Sequence, residues 1–278
     1  GQRFWLLARE IIFQRRVMNM SFPGIFHSFL FYSFVIFVIT TAIVAVDYDF
    51  GTTFFNGWIY VIFTVGCEIG GLVFLVGLGM ATWRRYVDKP KEVPTVLMDT
   101  WALVLLFLLI LTGFLTEGLR IAVNGDPWYL LSFVGYGFSF LFKWAGPEAG
   151  GAMHKVLWWV HTFIGMAWIA TIPFTKFTHL LFLPTNVFFS KFKPRGELSR
   201  ENIMEMMEDE DFDEETFQVG LQKTTEFTWK QALDLDACIN CGRCEMLCPA
   251  TRAGEPFGPR QFIQNCLTLS EEVRAAQA

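Results

Sequence analysis

Long apolar runs alternate with short polar breaks along the first two thirds of the chain. They cover 25–46, 57–82, 99–122, 128–144 and 155–183, and a helix of about 20 apolar residues is what crosses a hydrocarbon core. Ahead of them, residues 1–22 carry a basic, amphipathic segment (RFWLLAREIIFQRRVMNM), which predicts a helix lying in the membrane interface. Behind them come a basic exit (KFKPR), an acidic connector and a short segment rich in cysteine. The expected parts are an interfacial helix over 1–22, a membrane domain over 23–195, an acidic linker over 196–225 and a small domain over 226–278. No internal repeat is evident.

Charge decides how many of the five runs cross. Lys and Arg mark the cytoplasmic side of membrane loops. Arg3, Arg9, Arg15 and Arg16 precede the first run, Arg84, Arg85, Lys89 and Lys91 fill the 83–98 loop, and Lys191, Lys193, Arg195 and Arg200 follow the last run. The 47–56 loop has Asp47 and Asp49 but no basic residue. Those signs put the N-terminal segment, the 83–98 loop and the C-terminal domain on one side, so four runs must span. The weakest is 128–144 (WYLLSFVGYGFSFLFKW), at ~17 residues the bottom of the spanning range. It is expected to form an external or re-entrant segment.

Composition agrees with a membrane protein: 53% apolar, 17% aromatic and 31 Phe in 278 residues. The net charge of −5 matters through its distribution, since acidic residues crowd into 205–215 (EMMEDEDFDEE), a solvated linker or a docking strip for a basic partner. No signal-peptide pattern is present, and no feature suggests nucleic acid. Gly1 in place of an initiator Met, and an ending at RAAQA that completes no motif, are read as signs of further sequence on both sides.

A ring nitrogen in lipid is costly and marks function by default. The four histidines are His27, His154, His161 and His179. His161 and His179 are 18 residues apart, five turns of a continuous helix, which puts them on one face about 27 Å apart. His179 then lies at the cytoplasmic end of the last span, and His27 at the cytoplasmic start of the first. Two imidazoles from facing helices at one depth can hold a haem iron from both sides, so one b-type haem is expected between His27 and His179. His161 is expected to hold a second haem or to serve a quinone pocket. His154, on the same helix face, cannot take the opposite axial position of the same iron.

The sharpest motif is CINCGRCEMLCP. Cys238, Cys241, Cys244 and Cys248 follow C-x2-C-x2-C-x3-C-P, the bacterial ferredoxin run that ligates a [4Fe–4S] cluster. Gly242 permits positive φ in the loop, and zinc sites place their C-x2-C pairs far apart. In two-cluster modules the fourth Cys belongs to the other cluster, so Cys248 either closes one cluster or implies a second motif after residue 278. Cys266 and Cys67 read as packing thiols. The fold class is therefore an all-α membrane bundle with four spans visible, followed by a small ferredoxin-like α-helical iron–sulfur domain.

Two carboxyls sit inside spans, Glu68 and Glu117. With His154 they are candidates for a quinone site, where a carboxyl can relay protons. Glu117 has a plainer reading, an i,i+3 pair with Arg120. The glycines at 66, 70, 71, 77 and 79 permit close approach of a helix or a porphyrin.

Two stretches resemble known families. WWVHTFIGMAWIATIPFTKFTHLLFLP and FPGIFHSFLFYSFVIF resemble haem-binding helices of the gamma subunit of respiratory nitrate reductase. The resemblance implies that His27 and His179 ligate the cytoplasm-proximal haem and that a further span lies upstream. It also implies a partner histidine for His161 ten residues after His27, where this chain has Phe37. The cysteine segment and GEPFGPRQFI are similar to heterodisulfide-reductase-type iron–sulfur proteins.

The fusion resembles membrane iron–sulfur oxidoreductases, among them electron-transfer-flavoprotein:menaquinone oxidoreductases. That likeness implies an inner-membrane, multi-pass protein of the respiratory chain carrying electrons between a cytoplasmic donor and menaquinone. The donor would be electron transfer flavoprotein or an iron–sulfur or flavin subunit. Two other readings stay open: a thiol–disulfide enzyme of heterodisulfide-reductase type, and a non-catalytic redox-sensing anchor.

Overall fold

The computed structural model describes residues 1–192, 204, 221 and 223–277. The acidic 205–215 run and most of the expected linker lie outside the described residues. The described residues are helical, with no strand among them. They fall into two compact units, 10–178 and a second made of 1–9 with 179–278.

In the first unit, α2 (Arg15–Met18) leads into α3 (Ser21–Asp49), followed by α4 (Gly57–Trp83), α5 (Leu97–Asn124), α6 (Phe133–Ser139) and α7 (Pro147–Thr171). Four helical stretches are long and apolar enough to cross a membrane: Ser21–Asp49, Gly57–Asp88, Leu97–Asn124 and Pro147–Phe174. The expected non-crossing run forms α6 and a 3-10 turn over Phe140–Phe142, too short to span.

Packing inverts the water-soluble pattern, because lipid is as apolar as leucine and only close backbone approach rewards association. Large residues such as Val38, Ile39, Val44, Ile62, Val76 and Phe107 point outward. The buried face of α3 is Gly24, Ser28 and Ser33. α3 meets α4 where Gly70 lies against Phe37 and the Ser33 backbone, and where Gly77 lies against Phe29 and Phe26. Gly71 receives the Phe114 ring of α5, while Gly118 lets α6 come down onto α5 through Phe138. Gly66, Gly70, Gly71 and Gly77 therefore serve helix packing, whereas Gly79 has nothing beside it.

One end of this unit is closed by charge. Asp99, 5% exposed, caps its own helix by accepting from the Val96 N–H at 3.0 Å. It also pairs with Arg85 at 3.0 Å and Lys176 at 2.6 Å.

The last span ends earlier than its apolar pattern predicts. Pro173 cannot continue the α-helical ladder, so 3-10 turns form at Ile172–Phe174 and Lys176–Thr178. The hydroxyl of Thr175 donates to the Thr171 carbonyl at 2.8 Å and that of Thr178 to the Ile172 carbonyl at 2.9 Å. A new helix, α8 (His179–Phe188), then begins. His161 and His179 thus stand on separate helices, which corrects the five-turn, single-face expectation.

In the second unit, α1 (Gln2–Leu7) packs on α8 through Phe4 and Phe188, ring centroids 5.4 Å apart. α9 (Trp229–Asp236) is capped by Thr228 and Gln231. It meets α8 through Asn186, which donates to Asp234 at 2.7 Å, and through the Phe189–Trp229 ring pair. α10 (Arg243–Leu247), α11 (Pro249–Ala253) and α12 (Pro259–Gln277) complete it.

A Cβ at position 77 would sit 3.0 Å from Phe29 Cβ and 3.1 Å from the Phe26 carbonyl oxygen. Overpacking of this kind costs about 1–3 kcal/mol. Gly77→Leu should lower the melting temperature in detergent by several degrees, while Gly79→Leu, facing open space, should leave it within a degree or so; the two melts are directly comparable.

Candidate functional site

The cysteine motif occupies the turn between α9 and α12. Cys238 follows α9, Cys241 lies in the loop, Cys244 is on α10, and Cys248 joins α10 to α11. The loop needs two left-handed residues, Asn240 (φ 57°) and Gly242 (φ 76°), which turn the backbone tightly between Cys238 and Cys244. Arg260 fixes this loop, ion-paired to Glu245 and donating to Asn240 Oδ1 at 3.1 Å. From α12, Gln264 donates to Cys238 Sγ at 3.4 Å. Among the described residues no three His, Cys, Asp or Glu side chains are gathered at metal-holding distance. The donor set nonetheless fits a cubane: four thiols at ferredoxin spacing, Cys241 and Cys244 at the surface, and a backbone turn that brings amides toward the sulfurs.

In the membrane unit each of two histidines has its Nδ1 committed. His27 Nδ1 lies 3.0 Å from Gln14 Oε1, which also accepts from Ser28 Oγ at 3.3 Å. An amide oxygen can only accept, so Nδ1 carries the hydrogen and Nε2 the lone pair. Gln14 is 2% exposed and left-handed (φ 48°), a conformation that costs a non-glycine residue energy and is held where structure demands it. His161 Nδ1 lies 2.8 Å from Thr112 Oγ1. The Thr112 hydroxyl donates to the Leu108 carbonyl at 2.7 Å, so it accepts from His161 and leaves Nε2 with the lone pair there too. A partner of this kind fixes the tautomer and ring orientation that a ligating histidine needs.

The remaining predicted residues are placed as follows. His154 is half-buried on α7, two turns before His161, and His179 opens α8. Phe37 packs on Phe74, centroids 6.0 Å apart, so the position ten residues after His27 serves the α3–α4 contact. Cys67 donates to Thr40 Oγ1 at 3.3 Å, a packing role. Glu68 is 1% exposed and accepts from the backbone N–H groups of Val134 at 2.6 Å and Gly135 at 3.2 Å. Glu117 is hydrogen-bonded to Glu68, and its i,i+3 contact with Arg120 is loose at 3.9 Å.

Arg120 is engaged elsewhere, with Asp126 at 2.7 Å and the Tyr60 hydroxyl at 3.1 Å. Gln14, Thr112, Tyr60, Asp126 and Ser132 were not apparent as site residues from the sequence. A lone Thr in LLFLLILTGFL and a lone Gln between Phe13 and Arg15 give only faint signals.

Residues 12–194 match the nitrate reductase gamma subunit family. The chain belongs to that family. It is a haem b family, and residues 229–250 match a 4Fe-4S binding domain. The chain is 32% identical to the EtfAB:quinone oxidoreductase of Syntrophomonas wolfei over 95% of its own length and 37% of that protein's. It is 28% identical to the probable iron-sulfur-binding oxidoreductase FadF of Bacillus subtilis over 94% of its length and 36% of the relative's. A third relative is one component of the dihydromethanophenazine:CoB–CoM heterodisulfide reductase of Methanosarcina thermophila, 25% identical over 67% of this chain and 66% of that one. The chain thus spans somewhat over a third of the first two relatives. No solved structure matches it significantly. These likenesses establish a nitrate reductase gamma family region joined in one chain to a 4Fe-4S binding domain.

Asp126, beyond the end of α5, lends itself to a pH test. Burial pushes its carboxyl up, but hydrogen bonds from Tyr60, Arg120 and the Trp128 N–H outweigh burial and hold it below the ordinary 3.8. A depressed value stabilises the fold above the ordinary value, and that contribution disappears as the pH falls through the depressed one. Melting of the wild type should weaken on acidification below about pH 4. Asp126→Asn should lose much of that acid limb and, at neutral pH, about 1.5–3 kcal/mol of charge-assisted bonding.

Proposed function

We propose that the protein passes electrons between a redox donor that meets its cysteine domain and quinone in the membrane. The observation that carries this reading is the fusion in one chain of a nitrate reductase gamma region with a 4Fe-4S domain. Alignment of nearly the whole chain with a relative named EtfAB:quinone oxidoreductase supports quinone as the membrane substrate and an electron transfer flavoprotein as the donor; menaquinone is the quinone that the resemblance of the sequence implies. A bound [4Fe–4S] cluster and b-type haem supply the one-electron carriage that a two-electron quinone needs when it meets single-electron partners.

The residues have these proposed roles. Cys238, Cys241, Cys244 and Cys248 hold the cluster, with Gln264 donating to the first sulfur and so tuning its charge. A second cluster would draw on cysteines outside this sequence. His27 and His179 would hold one haem, which supplies one-electron chemistry when bound; the pairing rests on the sequence and on the family match, which includes both positions. Gln14 presents Nε2 of His27. Thr112 does the same for His161, whose lone pair would serve a second haem iron or accept a quinol hydroxyl proton. Glu68, Glu117 and His154 line the other half of the bundle, toward the proposed quinone side. The Lys and Arg distribution supports a cytoplasmic location for the cysteine domain at the inner membrane.

A second reading is favoured by the heterodisulfide reductase relative, in which the same carriers would feed a disulfide. Reduced-minus-oxidised spectra of the purified protein test the first. A b-type α-band that menaquinol or reduced flavoprotein elicits supports it; absence of any α-band in protein with intact haem supply sinks it, and a band that responds only to a thiol–disulfide couple moves the protein to the second reading. His27→Ala should abolish that band, and Cys238→Ser the cluster's paramagnetic signal alone. Removing an outer partner of a ligating histidine weakens metal binding about 10- to 100-fold. Gln14→Leu should weaken haem retention by that factor in a haem titration, and Gln14→Glu, which keeps an acceptor oxygen, should lose less.

A further inference from the structure

We propose that Glu68 and Glu117 together form a binding site for one exchangeable proton inside the bundle, at the end opposite Asp99, and that this proton latches the 133–142 helix onto the spans. The inference is independent of the electron carriers and of quinone.

Geometry assigns the proton. Both oxygens of Glu68 accept backbone N–H groups, from Val134 at 2.6 Å and Gly135 at 3.2 Å, so this carboxylate needs no proton of its own. Glu117 stands beside it, both carboxyls lying against Gly135, and two carboxyls held side by side away from water share a proton, because like charges this close do not both ionise. The hydrogen therefore sits on Glu117. Position 135 is glycine for this reason: a Cβ there would lie 2.7 Å from Glu117 Cδ and 2.8 Å from its Oε2.

No neighbouring charge removes the need for that proton. From α5, Arg120 stands 3.9 Å from Glu117 Oε1 but is spent on Asp126 at 2.7 Å. From α4, Tyr60 donates to Asp126 at 2.5 Å, and the Cys67 thiol is neutral. From α7, His154 feels Arg120. The α6 segment offers backbone N–H groups and no cation toward the pair; its Lys143 lies over the Phe140 ring at 3.7 Å. A second observation points to an exchangeable ligand. The Ser132 hydroxyl, 0% exposed, reaches toward the Glu117 carboxyl yet completes no hydrogen bond among the described residues. A polar atom so buried is normally paired. Glu117 keeps a quarter of its side chain exposed while Glu68 is sealed, so Glu117 is the more reachable carboxyl of the two.

Loss of the proton would set two negative charges against each other and free the 133–142 helix. Stability from this pair is present while Glu117 is protonated and is lost as the pH rises through its titration. Infrared difference spectra of the full chain in detergent, in water and deuterium oxide, read the carboxyl directly. The expected result is a carboxylic-acid carbonyl band at neutral pH that shifts on deuteration and vanishes in Glu117→Gln. A Gln at 117 still donates to Glu68, so that variant should remain folded and lose the alkaline weakening of the melt. Glu68→Gln checks the other half: with no carboxylate beside it, Glu117 should bind its proton less tightly and the band should titrate at lower pH. A folded Glu117→Gln protein that keeps the band, or a wild type whose band is already gone at neutral pH, overturns the proposal.

Discussion

Every polar atom that enters the hydrocarbon must find its partner within the protein, since neither water nor lipid can supply one. This requirement positions most of what matters in the membrane unit. Threonines inside the spans return their hydroxyls to their own helices, Thr40 to the Ile36 carbonyl, Thr82 to Leu78 and Thr116 to Thr112. Where a side chain has no local solution, it reaches to another element and fixes it there. Glu68 takes the N–H groups of Val134 and Gly135 and so anchors a helix too short to cross. Asp99 takes Arg85 and Lys176 and joins the start of α5 to the turn after α7.

The histidines obey the same rule, and the rule yields their chemistry. An imidazole placed in lipid has two nitrogens to satisfy. Gln14 and Thr112 each satisfy one, through an oxygen already engaged with Ser28 or the Leu108 carbonyl. In the resulting tautomer the other nitrogen carries the lone pair and the ring is held in one orientation, as a ligating histidine requires. Two unrelated elements arrive at the same tautomer, so His27 and His161 are prepared alike although their neighbours differ. In the proposed haem or quinone sites, the hydrogen bond that satisfies the ring would also be the one that orients it.

The spans were legible because each demands a run of about 20 apolar residues, and the Lys and Arg bias excluded 128–144 by parity. The ferredoxin motif was legible because its ligands are local in sequence. The polar partners were not. Glu68 and Val134 are far apart in the chain, and no periodicity announces that they meet. Gln14 is buried only because its left-handed backbone turns it inward against His27. The 18-residue histidine spacing misled for a local reason: Pro173 stops the helix between them, and Thr175 and Thr178 take up its orphaned carbonyls. An apolar run that looks continuous in composition is discontinuous in hydrogen bonding, and only the second property decides which face a residue occupies.

The two ends of the bundle are unequal in charge, and the inequality links topology to chemistry. At one end Asp99 faces Arg85 and Lys176, an excess of base. At the other, Asp126 holds Arg120 at 2.7 Å, Glu117 touches it only at 3.9 Å, and Glu68 accepts backbone N–H groups, an excess of acid. In the proposed orientation, with Lys and Arg gathered on the cytoplasmic side, the basic end lies on that side and the acidic end on the other. An excess of acid in a site with little water has one inexpensive remedy, which is to take up a proton in place of a cation. In the proposed orientation the same asymmetry would therefore also let the acidic half hold a proton, while the basic end holds Asp99 already paired with Arg85 and Lys176.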